Sequence, residues 1–179
     1  VREGVYLSDL LRNSKDKFPV NYNTSVRYLL DANINNKNYS NHINLISKKL
    51  FDLTYEYLNI DKKYRYELSI AAKLYSAGSS IHFYSKNKHA YTLIQNSLEY
   101  GFSHKSIMLI ATLSKYTTSK LPALTHLKKY KALLPQEQTT NALSYIFSLS
   151  IALLSHRPRN IDFDLKFKDG EMFVVSQNN

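Results

Sequence analysis

The residues that could do chemistry are six histidines, a small set of acids, fifteen tyrosines and an excess of basic side chains. The sequence has no Gly-rich phosphate loop, no GxSxG nucleophile motif and no HExxH zinc motif. The absence of cysteine excludes disulfides, thiolate metal sites and cysteine nucleophiles. His42, His82 and His89 have no nearby carboxylates to complete a hydrolytic metal site, so each is interpreted as an ordinary partly buried or surface residue.

The basic side chains are concentrated in one stretch. The net charge is +10, and residues 68–159 hold 11 basic side chains but only two acids, Glu99 and Glu137. Such a field attracts polyanions. Solvated surface charge is an equally good interpretation. Lysine, asparagine, isoleucine and tyrosine are all abundant here, as they are in proteins encoded by genomes poor in G and C, so the lysines need no functional explanation. The tyrosines could also stack on bases of single-stranded nucleic acid, but Tyr57 and Tyr91 lie on apolar stripes and are expected in the core.

Helical periodicity dominates the elements that must position these residues. An apolar stripe runs through Ile43, Ile46, Leu50, Leu53 and Tyr57, which predicts a helix of about 18 residues capped by Ser40 or Asn41. The same test predicts helices at 5–11, 25–34, 65–77, 89–98, 103–116 and 139–155, with a short helix or loop at 123–134.

Two glycines mark the ends of helices, and after Pro158 the apolar residues change from helical spacing to the alternation typical of a strand. Gly78 is expected to end a helix in the left-handed conformation, and Gly101 to break the chain before Ser103, a helix N-cap. After Pro158, Ile161, Phe163, Leu165 and Phe167 alternate with charged residues, and Asp169-Gly170 predicts the turn of a β-hairpin. Residues 142–155 are too short to span a bilayer, which takes about 20 residues. Val1-Arg2-Glu3-Gly4 contains no leader, and we expect a fragment of a longer, cytoplasmic protein.

Several stretches, taken in order, resemble the C-terminal part of the exopolyphosphatase and guanosine pentaphosphate phosphatase (Ppx/GppA) family. Residues 1–4 resemble the segment that leaves the catalytic half, and His42 with its stripe resembles the first helix of a helical HD-type domain. Residues 71–78, Ala-Ala-Lys-Leu-Tyr-Ser-Ala-Gly, are similar to the Ala-Ala-x-Leu-His-Asp/Glu-x-Gly motif. Further matches follow in the family's order at Ile81, His89, 95–97, 101–103, 109–113 and 153–159. The resemblance covers nearly the whole chain.

This sequence departs from the metal-binding motif of HD-type hydrolases. Where that motif has adjacent His and Asp ligands, this chain has Tyr75 and Ser76, and Thr117 stands where the family often has another His. With His42, these are the degenerate HD-motif positions. Tyrosine, serine and threonine are poor ligands for a catalytic divalent metal. We therefore expect no metal in this chain and no catalysis by it alone.

The resemblance implies that catalysis belongs to an N-terminal half with two actin-like domains, which holds Mg²⁺ and releases terminal phosphate from polyphosphate or guanosine pentaphosphate. We expect a mostly α fold, with a degenerate HD-like helical domain at 1–159 and a terminal β-hairpin at 160–179. Its expected partners are polyphosphate or a guanosine polyphosphate, the actin-like domains and a second copy in a homodimer, with no membrane. The alternatives are an RNA or single-stranded DNA binding module and a dimerisation scaffold. The residues expected to contact the polyanion are Lys86, Lys88, His89, Lys115, Lys120, Arg157 and Arg159.

Overall fold

The computed structural model describes residues 24–34, 37–99, 101–117 and 121–176. This part of the chain is mostly helical and ends in a two-stranded antiparallel hairpin, which confirms the predicted fold class. None of the described helices is long and apolar enough to cross a membrane. The helix predicted at 5–11 lies outside the described residues. The elements are α1 (Thr24–Asn33), α2 (Lys37–Thr54), α3 (Tyr64–Leu74), a 3-10 helix (Ala77–Ser80), α4 (Lys86–Ser97), α5 (His104–Lys115), α6 (Leu124–Lys129), α7 (Glu137–Leu153), β1 (Phe163–Lys168) and β2 (Glu171–Ser176).

The core forms where α2 packs against α3 and α7, while α5 packs against α3 and α4. The predicted stripe on α2 is the buried face of that helix, since Ile43, Ile46 and Leu50 are almost inaccessible to solvent. Phe51 beside them and Phe147 on α7 are the largest fully buried side chains. Burying a large apolar side chain contributes roughly 1.5–3 kcal/mol. The spacing of three and four residues therefore decides which face of α2 points inward.

The hairpin forms at the predicted position and packs on the helices of its own chain. Phe163 pairs with Ser176 and Lys168 with Glu171, so the loop is Asp169-Gly170. Both loop residues have positive φ, 52° and 83°, as a two-residue type I′ hairpin turn requires. Leu165 is 2% exposed, and its neighbour Asp164 forms an ion pair with Lys49 of α2. A lone hairpin is marginal in water, and this one is stabilised by burial against α2.

Two predictions at the ends of α2 are wrong. The helix begins at Lys37, so Ser40 and Asn41 lie inside it rather than at its cap, and Ser40 is buried. At the other end α2 stops at Thr54, and Tyr57 lies in the following turn with its side chain 68% exposed. The ring of Tyr57 contacts the hairpin instead, at 5.2 Å from the Phe167 ring. Helical spacing could not place Tyr57 because the helix has already ended there.

The prediction for Gly78 is also wrong, and the structure gives a different reason for glycine at this position. Gly78 lies in the 3-10 helix rather than in a left-handed helix end. A Cβ there would lie 2.5 Å from the backbone nitrogen of Ala90 and closer still to the carbonyl oxygen of Lys86. Glycine therefore lets α4 pack directly on the 3-10 helix. The predictions for Gly101, with φ of 81°, and for Ser103, which caps α5 by accepting from the Ser106 backbone N–H, are confirmed.

Candidate polyanion site

Two cationic side chains lie on one partly buried tyrosine and one buried tyrosine where α2, α3, α4 and the end of α7 meet. The Lys86 Nζ is 5.1 Å from the ring centroid of Tyr75, and the Arg157 Cζ is 5.1 Å from that of Tyr39. Tyr75 is buried, with its ring edge-on to Phe147 at 5.9 Å. Both distances are within the range of cation–π contacts. We call Tyr39, Tyr75, Lys86 and Arg157 the cation–tyrosine cluster.

Local backbone features bring these four residues together. The close approach at Gly78 sets the first turn of α4, which carries Lys86, against the residues that follow α3. After α7, Arg157 adopts a left-handed φ of 52°, and its N–H donates to the Leu154 carbonyl. That turn, just before Pro158, reverses the chain and brings the guanidinium back to Tyr39 on α2. The close approach at Gly78 and the left-handed conformation of Arg157 thus position the residues of the cluster.

Three of the four degenerate HD-motif positions, Tyr75, Ser76 and Thr117, lie in or beside this cluster. Thr117 makes a hydrogen bond with Tyr75 and accepts one from the Asn87 Nδ2 at 2.5 Å, while the hydroxyls of Ser76 and Ser40 are 3.0 Å apart. All of these groups are neutral. The Oδ1 of Asn87 is buried and has no hydrogen-bond partner among the described residues.

The pKa shifts in the cluster reflect burial and the charge of Arg157. Burial raises the pKa of Tyr75, and Arg157 and the Thr117 hydrogen bond offset part of that rise. Burial likewise raises the pKa of Tyr39, against the opposing effect of Arg157. Burial lowers the pKa of Lys86, and the positive charge of Arg157 lowers it further. The tyrosines therefore stay neutral near pH 7, and the two cations repel each other.

No described carboxylate relieves that repulsion. None of the ion pairs among the described residues uses a cation from 68–159. Glu99 follows the C-terminal end of α4, which is 12 residues or about 18 Å long and carries Lys86 at its other end. Glu137 begins α7, whose 17 residues span about 25 Å before Arg157. Both acids of this region are thus far from the cluster.

The other residues expected to bind a polyanion do not all lie in the cluster. Lys88 is exposed on α4, and His89 follows it with its ring 6.5 Å from that of His82. Arg159 is exposed just beyond Arg157. Lys115 ends α5, and its Nζ is 4.5 Å from the ring of Tyr91 on α4. Lys120 lies outside the described residues.

His42 is the degenerate HD-motif position that lies apart from the other three. Tyr75, Ser76 and Thr117 lie together, and α2 contributes Tyr39 to the cluster and Ser40 as the partner of Ser76. His42 lies two residues beyond Ser40, with a buried Nδ1 that lacks a hydrogen-bond partner among the described residues. Sequence analysis missed Tyr39 and Asn87. The signal for Tyr39 was present, because it lies four residues before Ile43 and so continues the buried stripe.

A second polar cluster surrounds His126, which is 7% exposed. Its Nε2 is 3.0 Å from the Thr112 Oγ1, and its ring lies 4.8–5.8 Å from the rings of Tyr91, Tyr116 and Tyr130. Burial lowers the pKa of His126 to about 4, helped by the charges of Lys115 and Lys129. This histidine fixes α6 against α4 and α5. Sequence analysis did not single it out.

Metal ligands are scarce in the described part of the chain. No group of three or more histidine, aspartate or glutamate residues there is arranged to hold a metal ion. The side chains at the motif positions beside Lys86 and Arg157 are hydroxyls, and a fixed pair of cations disfavours a divalent cation next to them. Hydroxyl groups beside two cations are suited to bind an anion.

Comparison with known proteins places the chain in a family. A search of curated protein sequences finds no match. The family model described as Ppx/GppA phosphatase, domain III, matches residues 23–169, which include every described residue of the cation–tyrosine cluster. The match covers most of the chain and agrees with the order of motifs in the sequence. This protein therefore belongs to the Ppx/GppA phosphatase family, and the matched region is its domain III.

Proposed function

We propose that this chain is the polyanion-binding and association domain of a phosphohydrolase that removes terminal phosphate from polyphosphate or guanosine pentaphosphate. The observation that carries the proposal is the pairing of Lys86 with Arg157. The two like charges lie on the tyrosines of one cluster, Lys86 half-buried and Arg157 exposed, and neither forms an ion pair with a described carboxylate. Placing an anion there relieves their repulsion. The planar guanidinium of Arg157 also suits two phosphate oxygens at once.

Phosphate is the anion class favoured by the wider charge distribution. The cations of residues 68–159 extend from the cluster along α4 to Lys88, and the Lys115 ammonium lies over Tyr91, five residues beyond Lys86 on the same helix. Five helical residues correspond to a rise of about 7.5 Å and a turn of about 140° around the axis, so these cations lie at different points of the surface. A long polyphosphate, unlike a single phosphate, can contact several cations along such a surface. Release of counterions from such a chain drives binding.

We further propose that the domain is not catalytic by itself. Tyr75, Ser76 and Thr117 supply no carboxylate or imidazole to activate water, and Lys86 and Arg157 disfavour a metal ion beside them. Under this proposal Mg²⁺ and the catalytic carboxylate belong to the actin-like domains, and this domain retains the substrate near them in the cytoplasm. Incubating the chain with polyphosphate and Mg²⁺ should release no phosphate. Release that depends on Tyr75 or Thr117 would contradict this part of the proposal.

The outer strand of the hairpin supports the association role. Phe173, Val174 and Val175 are 46%, 53% and 40% exposed, and they stand in sequence on β2. Consecutive exposed apolar residues on an outer strand favour contact with another protein surface. We propose a second copy of this chain as that surface. Light scattering should show a mass that rises with concentration, and Val174→Lys should abolish the rise.

Binding to long-chain polyphosphate tests the main proposal. The variant Lys86→Gln/Arg157→Gln should weaken binding at low salt by about tenfold or more, since hydrogen bonds to charged groups contribute about 1.5–3 kcal/mol each. The matched control is Arg27→Gln/Lys37→Gln, which removes the same two residue types where both already pair with Asp31. Equal losses in the two double variants would show that only total charge matters, and would refute the assignment of the site.

A further inference from the structure

An exposed aromatic loop borders the cation–tyrosine cluster. Residues 81–85 connect the 3-10 helix to α4, and within them Ile81, Phe83 and Tyr84 are 52%, 66% and 75% exposed. By contrast Tyr75, six residues before Ile81, is 2% exposed. Large apolar side chains crowded together at the surface are unusual and often mark a binding site. Packing within the described part of the chain does not account for them.

The backbone of the loop is anchored at both ends. The Ile81 N–H donates to the Gly78 carbonyl, and Ser85 enters α4 with a left-handed φ of 57°. Between these points the Tyr84 N–H donates to the His82 Nδ1 at 3.2 Å. The Phe83 and Tyr84 rings lie edge-to-face, 5.9 Å apart at an interplanar angle of 84°, and both side chains are largely exposed. An anchored loop that already presents its rings to solvent binds a flat ligand at a lower entropic cost than a mobile loop.

The aromatic loop and the cations share one surface. The Lys86 Nζ is 5.8 Å from the Phe83 ring and also contacts Tyr75 of the cluster. His82 and His89, with rings 6.5 Å apart, lie beside the start of α4, where His89 follows Lys86 by three residues and so shares its face of the helix. This combination differs from what bare polyphosphate needs, because a phosphate chain has no flat group to place on an aromatic ring. A ligand that carries both phosphates and bases uses both parts.

We propose that this surface binds single-stranded nucleic acid, with a backbone phosphate at Lys86 and Arg157 and a base stacked on Phe83 or Tyr84. Stacking on aromatic side chains tolerates any base, because every base presents a flat face. Single strands fit better than duplexes because their bases are free to stack. The inference rests on the proposed function, since it uses the same cation pair.

Two probes separate the contributions of rings and cations. The first is fluorescein-labelled oligoadenylate of about 12 nucleotides, a typical site size, and the second is polyphosphate of matched phosphate number. Phe83→Leu/Tyr84→Leu removes the rings and keeps apolar side chains. The matched control, Tyr28→Leu/Tyr145→Leu, removes two exposed rings, 68% and 62% exposed, from α1 and α7. All variants are tested in the whole 179-residue chain.

We expect Phe83→Leu/Tyr84→Leu to weaken oligoadenylate binding about tenfold, equivalent to about 1.4 kcal/mol, and to leave polyphosphate binding within about twofold of the unmodified chain. Lys86→Gln/Arg157→Gln should weaken both. A 2-aminopurine in the oligonucleotide should lose fluorescence on binding the unmodified chain but not the leucine variant.

The outcomes distinguish this inference from the proposed function. Unchanged oligoadenylate affinity in Phe83→Leu/Tyr84→Leu, with polyphosphate still bound through the cations, refutes the inference alone. Base-dependent binding of oligoadenylate without measurable polyphosphate binding refutes the proposed function and supports the inference. If the leucine variant instead lowers the mass measured by light scattering and leaves RNA affinity unchanged, the loop is a protein contact and the inference is wrong.

Discussion

Replacing His126 by glutamine should change how the stability of the chain depends on pH. His126 is buried among three tyrosine rings and faces the positive charges of Lys115 and Lys129, so its imidazolium form is disfavoured. Its pKa falls from 6.5 to about 4 in the folded chain. Below about pH 6.5 the unfolded chain therefore binds a proton that the folded chain does not, and stability decreases as the pH falls. The decrease is complete below about pH 4.

The size of this effect follows from the shift in pKa. A shift of about 2.5 units at about 1.36 kcal/mol per unit gives a full effect of about 3 kcal/mol. At about pH 5 the proton is already bound by nearly all unfolded molecules, and the loss relative to about pH 7.5 is about 2 kcal/mol. Glutamine retains a polar nitrogen near the Thr112 hydroxyl but does not titrate. His126→Gln lowers stability at neutral pH and removes this part of the pH dependence.

Urea unfolding at a series of pH values checks the prediction. The free energy of unfolding of the unmodified chain should fall about 2 kcal/mol more between about pH 7.5 and pH 5 than that of His126→Gln. His156→Gln is the control, because it removes an exposed histidine and should leave the original pH dependence in place. Parallel curves for the unmodified chain and His126→Gln would refute the reasoning, as would an NMR titration of His126 centred near pH 6.5.

Three further predictions concern the elements that hold the site. Gly78→Ala should lower the free energy of unfolding by at least about 2 kcal/mol, because the added Cβ meets the α4 backbone. Gly101→Ala, which only places alanine at a positive φ, should lower it by about 1 kcal/mol. Equal losses in the two variants would contradict the close approach at Gly78. Ser103→Ala should cost about 1 kcal/mol through loss of the α5 cap, while exposed Ser79→Ala should cost almost nothing. Leu165→Ala should cost about 2–5 kcal/mol if the hairpin packs on the helices, and Val174→Ala less than about 0.5 kcal/mol. Urea unfolding measures all of these changes, and a loss from Leu165→Ala as small as that from Val174→Ala would show that β1 is not packed.

Local signals in the sequence were sufficient for the elements that have their own periodicity or turn residues. The α2 stripe, the Ser103 cap and the Asp169-Gly170 hairpin were predicted because each depends on residues within a few positions of one another. The ordered motifs also identified the family, which the match over residues 23–169 confirms. Such signals end where an element ends, and the exposed position of Tyr57 illustrates this.

Contacts between distant segments could not be predicted from spacing. The role of Gly78 depends on the α4 backbone, and the position of Arg157 depends on a turn that brings it to Tyr39, more than a hundred residues earlier. His126 gave no signal because its three aromatic neighbours come from α4 and from the ends of α5 and α6. Charge counting found the basic region, but only the fold determines which cations converge.

The most direct test of the polyphosphate proposal is the salt dependence of polyphosphate affinity in the unmodified chain and in Lys86→Gln/Arg157→Gln. If phosphates bind at this cation pair, the slope of log affinity against log salt should become shallower by roughly 1.4, about 0.7 for each cation removed, taking the value for single strands. Arg27→Gln/Lys37→Gln should keep the original slope. An unchanged slope in Lys86→Gln/Arg157→Gln, or an equal change in the control, would contradict the proposal that polyphosphate binds at the cation–tyrosine cluster.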